Sequence, residues 1–157
     1  MLGDFYDQCG PRLYRYALLI LGDAAAAEDA VQETFCSLTR LIGRNGDGAT
    51  LAYAIRAVRN QSYTILRSRR RRQSVASDAL LEPCAPDASE EERLILDEAL
   101  RELPVEQREV VHLKVFEGMT FQEIASLCDV SANTAASRYR YAMAALRRAL
   151  SATERTP

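Results

Sequence analysis

One stretch near the carboxyl end of the chain carries the side chains best suited to reading nucleic acid. Asn133, Thr134, Ser137, Arg138 and Tyr141 recur at spacings that place them on one side of a helix. Short polar groups and a guanidinium can hydrogen-bond base edges and phosphates in a major groove. The pattern alone also fits an ordinary amphipathic helix with a solvated face, so that alternative stays open at this point.

The sequence shows no set of catalytic side chains. His112 is the only histidine and there is no glycine-rich phosphate loop, so no nucleophile and base pair is visible. The cysteines lack the paired spacing of a zinc cluster or a disulfide framework. We therefore predict a protein that is not an enzyme, with no metal site, no cofactor and reduced, mostly buried thiols. The thiols belong to Cys9, Cys36, Cys84 and Cys128.

The candidate DNA-reading side chains belong to a predicted helix-turn-helix over residues 120–150. Thr120 followed by Glu123 matches a capping box, in which each side chain accepts a hydrogen bond from a free backbone N–H at a helix start. The helical period breaks at Asp129, a residue type that tolerates the left-handed turn conformation. Ser131 then caps the second helix. The buried stripe of that helix is predicted to contain Ala135, Tyr139, Ala142, Leu146 and Leu150.

Charge is segregated along the chain, although the formal net charge is only -2. Residues Arg56–Arg72 contain seven arginines and no acidic residue, whereas Asp78–Glu109 is strongly acidic. The last helix is basic again through Arg138, Arg140, Arg147 and Arg148. Two basic patches separated by an acidic stretch predict two DNA-contacting modules.

Two helices are predicted in the first part of the chain. An amphipathic period runs from Asp4 to Leu21, with an interruption at Gly10–Pro11 that predicts a kink or a new helix start. After it, Asp23 caps a second helix that is predicted to reach about Arg40. The outward face of this second helix carries Glu28, Asp29, Gln32 and Glu33. The helix dipole alone favours acidic residues near a helix start, so a merely solvated face remains an alternative here.

A glycine-rich segment, Gly43–Gly48, is predicted to be a surface loop. The helix after it spans Thr50–Arg72 and ends in Arg69–Arg72. Four consecutive arginines exceed what a helix dipole needs and repel one another, which indicates a polyphosphate partner. The side chains available on its outer side are Arg56, Arg59, Asn60, Tyr63 and Arg67.

The fold predicted from these elements is all-α, in two small helical domains. Residues 73–88 lose helical periodicity and gain two prolines, so they are predicted to be a flexible linker between domains 1–72 and 89–150. A chain of 157 residues that is 48% hydrophobic and 27% charged suits this size. No apolar run is long enough to span a bilayer and no leader precedes one, so we expect no membrane insertion and a cytoplasmic protein.

The chain closely resembles the extracytoplasmic-function (ECF) sigma factors, the small two-domain class of the sigma-70 family that keeps only regions two and four. In region two, PRLYRYALLILGD followed by AEDAVQETF (Ala27–Phe35) resembles the core-binding signature of that family. In region four, LPVEQREVVHLKVFEGMTFQEIASLCDVSANTAASRYRYAMAALRRAL matches the family almost position by position. The two motifs together, in this order, make the resemblance specific.

The resemblance implies a function and a set of partners. It implies a sigma factor that directs core RNA polymerase to promoter DNA, with an anti-sigma factor as a common further partner that nothing in this chain identifies. Glu28, Asp29, Gln32 and Glu33 stand where the family binds the polymerase clamp helices.

The resemblance also implies two DNA sites. Residues 45–49 stand where the family holds a flipped base of the minus-ten element, and Asn60 lies on the helix that lines the melted strand. Tyr53 and Thr64 differ from the family, which usually has a tryptophan and an acidic residue there. Together with the readers of the minus-thirty-five element, the DNA-binding candidates are Asn45, Gly46, Asp47, Gly48, Ala49, Arg56, Arg59, Asn60, Arg67, Ser131, Asn133, Thr134, Ser137, Arg138, Arg140 and Tyr141.

Two other classes of protein are alternatives to a sigma factor. One is a helix-turn-helix regulator that binds an operator and uses residues 1–72 as an effector or dimerisation domain. That class leaves Arg69–Arg72 and the acidic face of the second helix unexplained. The other is a helical adaptor that binds only proteins, which leaves the DNA-reading face unexplained.

Overall fold

The computed structural model describes residues 2–45, 50–72 and 87–155. In these residues the chain forms seven α-helices and no strand, as the all-α prediction requires. The chain divides into two compact units, residues 1–79 and 80–157, called here the N-terminal and C-terminal units. The predicted domain limits stay a prediction, because most of the predicted linker, residues 73–86, lies outside the described residues.

The N-terminal unit is a bundle of three helices: α1 (Leu2–Leu21), α2 (Ala24–Asn45) and α3 (Leu51–Arg72). Each helix contacts the other two. The link between α1 and α2 is only two residues long, and Gly22 adopts a φ of 67° there, a conformation that glycine tolerates best. The short link makes α1 and α2 antiparallel neighbours. The core shared by the three helices includes Leu13, Tyr16, Ile20, Ala27, Val31, Leu38, Ala54 and Val58.

The structure narrows one prediction for this unit and corrects another. Pro11 lies inside one continuous helix α1, which rules out a new helix start at Gly10–Pro11, the second of the two predicted alternatives. Helix α2 does not stop near Arg40 but continues through Gly43 to Asn45. An exposed glycine destabilises a helix by only about 1 kcal/mol relative to alanine. The packing of half-buried Ile42 and the hydrogen bonds of the preceding turns can offset that cost, so the helix continues beyond Gly43.

The C-terminal unit contains four helices: α4 (Glu90–Glu102), α5 (Val105–Val115), α6 (Phe121–Cys128) and α7 (Ala132–Glu154). The long helix α7 contacts all three others. Local chemistry fixes the start of α4, because Ser89 and Glu92 form a capping box. Glu92 N donates to Ser89 Oγ at 3.2 Å, and Ser89 N donates to Glu92 Oε2 at 2.8 Å.

The core of the C-terminal unit is apolar but also contains ionisable groups. Val110, Leu113 and Ile124 are completely buried. Glu109 and His112 are buried with them, and His112 Nε2 lies 3.7 Å from Glu117 Oε1. His112 is therefore a packing residue, and its ring centroid lies 5.3 Å from that of Phe116.

Several large apolar residues are exposed. Leu150, predicted to lie in the buried stripe of α7, is 36% exposed. Leu94 of α4 is 56% exposed, and Phe116 at the end of α5 is 40% exposed. In α3, Tyr53 is 46% exposed, while Ala54, Ile55 and Val58 are buried. The apolar period of α3 is weak because its sequence is mostly polar, so the period alone does not identify the buried face of this helix.

Candidate functional site

The acidic face of α2 is exposed over its first three turns. Glu28, Asp29, Gln32 and Glu33 are all exposed, while Ala27 and Val31 behind them are buried. The four polar groups therefore lie on the solvent side of an anchored helix, where a partner protein can reach them. Cys36 is exposed on the same face, one turn beyond Gln32 and Glu33, so the prediction of mostly buried thiols does not hold for this residue.

The start of α2 is held by Asp23, as predicted. Asp23 Oδ1 accepts hydrogen bonds from Ala25 N at 2.9 Å and from Ala26 N at 3.5 Å. Its Oδ2 pairs with the guanidinium of Arg69 on α3. Burial alone would raise the pKa of the Asp23 carboxyl, but the hydrogen bond and charge of Arg69, with the two backbone N–H groups, lower it below its usual value.

Helix α3 presents a line of polar side chains to solvent. Arg56, Asn60 and Arg67 are exposed, and they share one face because separations of four and seven residues are close to whole helical turns. Arg59 is half-buried on the flank, with its guanidinium carbon 4.6 Å from the centroid of the Tyr63 ring. A cation stacked on an aromatic ring is held in place by the ring quadrupole.

The predicted base-holding loop lies almost entirely outside the described residues. Asn45 is the last residue of α2, which corrects its assignment to a loop, and Gly46–Ala49 lie outside the described part of the chain. On the far side of this gap Thr50 begins α3, because its Oγ1 accepts a hydrogen bond from Tyr53 N at 3.3 Å. The exposed ring of Tyr53 thus stands in the first turn after the loop.

The helix-turn-helix forms as the sequence predicts. Thr120 and Glu123 make the capping box at the start of α6, with bonds of 3.2 and 2.9 Å. Asp129 adopts a φ of 56° in the turn, the left-handed conformation expected for it. Ser131 Oγ accepts from Thr134 N at 3.0 Å and caps α7. These three local features determine where α6 starts, how the chain turns after it and where α7 starts.

The candidate reading face of α7 has a centre and a flank. With Ala135, Ala142 and Leu146 buried, the face opposite them carries the exposed Asn133 and Arg140. Arg140 is turned roughly 140° from the buried stripe, whereas Arg138 is turned only about 60° from it and is half-buried. Arg140 therefore lies near the centre of the exposed face, and Arg138 lies at its edge.

Neighbouring side chains hold Arg140 on this face. Its Nη2 donates to Ser137 Oγ at 3.4 Å, and its guanidinium carbon lies 6.0 Å from the centroid of the exposed Tyr141 ring. Ser137 and Thr134 are half-buried beside it. All the α7 residues predicted to bind DNA are thus on or beside one accessible surface.

One supporting cluster was not predicted from the sequence. Lys114 Nζ of α5 lies 4.6 Å from the ring centroid of Phe121, the first residue of α6. The Phe121 ring in turn meets Tyr139 of α7 edge-on, with centroids 5.6 Å apart. The three side chains tie three helices together beside the turn. Helical period alone could flag Tyr139 as inward-facing but could not identify its partners.

Neither a metal centre nor a membrane span is evident in the residues that the structure describes. No cluster of three or more histidine, cysteine, aspartate or glutamate side chains is placed to hold a metal ion there. Within the same residues, no helix combines the length and apolar character needed to cross a bilayer.

Comparison with known protein families gives two matches, which follow one another along the chain. Residues 5–72 match the family described as "Sigma-70 region 2", and residues 93–146 match "Sigma-70, region 4". The first match spans all three helices of the N-terminal unit except the first three residues of α1. The second includes α6, the turn and the greater part of α7.

Two curated relatives match over most of their length. The ECF RNA polymerase sigma factor SigL of Mycobacterium tuberculosis is 35% identical over 149 residues, which cover 90% of this chain and 84% of that protein. The RNA polymerase sigma factor CarQ of Myxococcus xanthus is 32% identical over 141 residues, which cover 86% of this chain and 80% of that protein.

One solved structure shares the fold. It is the sigma factor RpoE, crystallised in complex with the anti-sigma factor NepR from Bartonella quintana. The TM-score is 0.75 at 23% sequence identity, and the match covers 95% of this chain and 96% of that one. The likeness therefore extends over both units.

Proposed function

This chain belongs to the ECF sigma factors of the sigma-70 family, and we propose that it divides polymerase binding, strand capture and duplex reading among three separate surfaces. As a member of this family it directs core RNA polymerase to promoters at the start of transcription and is not an enzyme. The operator-binding regulator is not favoured, because the relatives that cover most of the chain are sigma factors. The observation that carries the proposal is the exposed acidic face of α2, backed by a buried apolar face.

The first surface is the α2 face formed by Glu28, Asp29, Gln32 and Glu33, which binds core RNA polymerase. Three carboxylates and an amide on one rigid helix suit a basic, hydrogen-bonding partner surface. Charge complementarity of this kind speeds association and fixes the orientation of the partner. The helix is anchored by its core residues and by Asp23 at its start, so the surface is formed before the partner arrives.

The second surface is the exposed line on α3, which follows one melted strand of the minus-ten element. Arg56, Arg59 and Arg67 neutralise phosphates, and the Asn60 amide offers both a donor and an acceptor to a base edge. Asn45 and Gly46–Ala49 precede this helix and are proposed to receive an unstacked base. Such capture takes its energy from local binding and requires neither ATP nor a metal.

The third surface is the exposed face of α7, which reads the minus-thirty-five element as duplex DNA. A helix-turn-helix places its second helix in the major groove with the amino-terminal residues against the bases. Asn133, Thr134, Ser137 and Arg140 occupy that end of α7. Arg138 and Tyr141 flank them. Ser131, whose Oγ also donates to Thr134 Oγ1 at 2.9 Å, caps the helix start and is proposed to contact a phosphate there.

These assignments also imply an organisation and a location. Residues 1–72 act as the polymerase and minus-ten domain, residues 89–150 as the minus-thirty-five domain, and residues 73–88 as the linker that lets them span a promoter. The protein works in the cytoplasm, where core polymerase and DNA are found. An anti-sigma factor is a further candidate partner, because the solved neighbour in fold is held by one.

The thiol of Cys36 provides a direct test of the polymerase-binding surface. Cys36 is exposed on the proposed face, whereas Cys9 and Cys128 are buried. In a Cys84→Ser background, a small alkylating reagent should therefore modify mainly Cys36 in the free protein. Core RNA polymerase should slow that modification by about tenfold or more, because the bound surface is covered. Intact-mass spectrometry over time measures the rate.

A control distinguishes direct protection of Cys36 by bound core polymerase from a general slowing of thiol labelling in its presence. In a Cys36→Ser, Cys84→Ser background, Gln8→Cys places an exposed thiol on α1 instead. Core polymerase should leave the labelling rate of that thiol nearly unchanged. Equal labelling of Cys36 with and without core polymerase, under conditions where the two co-elute, would remove the α2 face from the proposed interface.

A further inference from the structure

Arg69 differs from the other arginines at the end of α3 in what it contacts. Its guanidinium pairs with the Asp23 carboxylate, and its Nη1 donates to the carbonyl oxygen of Leu21 at 3.3 Å. The Arg69 and Asp23 side chains are only 23% and 17% exposed. Arg70, Arg71 and Arg72 are exposed. The four consecutive arginines are therefore not one uniform anion-binding run.

The partners of Arg69 lie at the corner between α1 and α2. Leu21 is the last residue of α1, and Asp23 caps α2 through Ala25 N and Ala26 N. One carboxylate thus holds the first turn of α2 and the last turns of α3 at the same time. The planar guanidinium of Arg69 donates in two directions, so it fixes the orientation of α3 relative to α2 better than a lysine ammonium would.

The corner lies at the opposite end of the bundle from the start of α3. Arg69 is 18 residues after Leu51, which corresponds to about 27 Å along α3. The proposed polymerase face begins at Glu28, only five residues beyond Asp23. The ion pair therefore connects the helix proposed to bind polymerase with the helix proposed to follow the melted strand, at the polymerase end of both.

We propose that Asp23 and Arg69 form a joint that keeps α3 in register with α2, so that Arg69 is a positioning residue for promoter opening rather than a phosphate contact. This inference rests on the proposed roles of α2 and α3. Once polymerase fixes α2, the joint determines where the strand-binding side chains of α3 stand relative to the enzyme. Supporting contacts of this kind hold binding groups within the fraction of an ångström that function requires.

The test uses the full chain in holoenzyme and two pairs of variants. Arg69→Gln removes the charge at the joint, and Arg70→Gln removes the same charge from an exposed neighbour. Asp23→Asn removes the ion pair but keeps an efficient helix cap. The measurements are core-polymerase affinity, the rate of open-complex formation on a duplex promoter and on a pre-melted promoter, and the salt dependence of promoter binding.

We expect Arg69→Gln and Asp23→Asn each to slow opening of the duplex promoter by roughly fivefold, and their combination to be no slower than either alone. Core affinity and the salt slope should stay unchanged, and the pre-melted promoter should restore most of the rate. Arg69→Lys, which keeps the charge, should recover part of it. If Arg70 contacts a phosphate, Arg70→Gln should instead lower the salt slope, the slope of the logarithm of promoter affinity against the logarithm of salt concentration, by about one unit. Its effect on the rate of opening should be the same for the duplex promoter and for the pre-melted promoter.

Several results would overturn the joint. One is an Arg69→Gln variant that loses salt slope as Arg70→Gln does while Asp23→Asn has no effect, because Arg69 would then be a phosphate contact. Another is a lowered melting temperature with normal opening by the folded holoenzyme, because the pair would then only stabilise the fold. A wrong assignment of α2 as the polymerase-binding surface would give a different result. In that case, charge reversal at Glu28 and Asp29 would leave the affinity for core polymerase normal.

Discussion

We expect the variant Glu28→Lys/Asp29→Lys to lose assembly with core RNA polymerase while keeping its helix content. Both side chains are exposed, so the substitutions remove no core contact. They replace two attractive charges with two repulsive ones, and like charges facing each other across an interface cost several kcal/mol. The affinity for core polymerase should fall by about a hundredfold or more. Co-elution and a binding titration measure the loss, and circular dichroism monitors the fold.

A matched control carries the same change of charge elsewhere in the N-terminal unit. Asp4 and Asp7 are exposed near the start of α1, away from the start of α2. The variant Asp4→Lys/Asp7→Lys should bind core polymerase within a few-fold of the parent protein. Unchanged assembly of the Glu28→Lys/Asp29→Lys variant, or an equal loss in the control, would show that the α2 face is not the binding surface.

The second large effect is expected on the reading face of α7. Replacing Arg140 with alanine should weaken promoter binding by holoenzyme by about 1–3 kcal/mol and relax the preference at one position of the minus-thirty-five element. The reason is its place near the centre of the exposed face, where a helix in the major groove meets base edges. Binding titrations against a panel of single-base promoter variants measure the change.

Arg138 should behave differently because it lies at the edge of that face. Replacing Arg138 with alanine should weaken binding to all promoter variants by a similar amount and reduce the salt slope by about one unit. Arg147, exposed farther along α7, is the control and should have a smaller effect. If Arg138→Ala relaxed specificity and Arg140→Ala did not, the proposed roles of the two arginines, base reading by Arg140 and phosphate contact by Arg138, would be contradicted.

The features that the sequence predicted well depend on neighbouring residues. The capping box at Thr120 and the left-handed Asp129 are decided by chemistry within four residues, so they can be recognised without knowing the fold. The exposed acidic face of α2 was equally predictable, because its apolar period is strong. The identity of the family followed from motifs that are continuous in sequence, so it required no knowledge of contacts between distant residues.

The features that the sequence did not predict depend on contacts between distant residues. The partner of Arg69 is 46 residues away, and no local pattern distinguishes this arginine from Arg70. Tyr53 is exposed while its neighbours Ala54 and Ile55 are buried, because the packing of α3 against two other helices decides which side is buried. The Lys114, Phe121 and Tyr139 cluster likewise joins three helices.

The central claim is that this chain recognises promoters tightly only as part of holoenzyme. The reading face of α7 offers few phosphate contacts, and binding that rests on few phosphates is weak at physiological salt. The surface proposed on α3 requires a strand that is already unpaired. In the proposed holoenzyme, polymerase holds both surfaces on one scaffold, so each raises the effective concentration of the other.

A promoter-binding titration at physiological salt, with and without core RNA polymerase, tests this claim most directly. The predicted result is tight, sequence-specific binding with core polymerase and only weak, nonspecific binding by the free protein. Tight and sequence-specific binding of duplex promoter DNA by the free protein would contradict it.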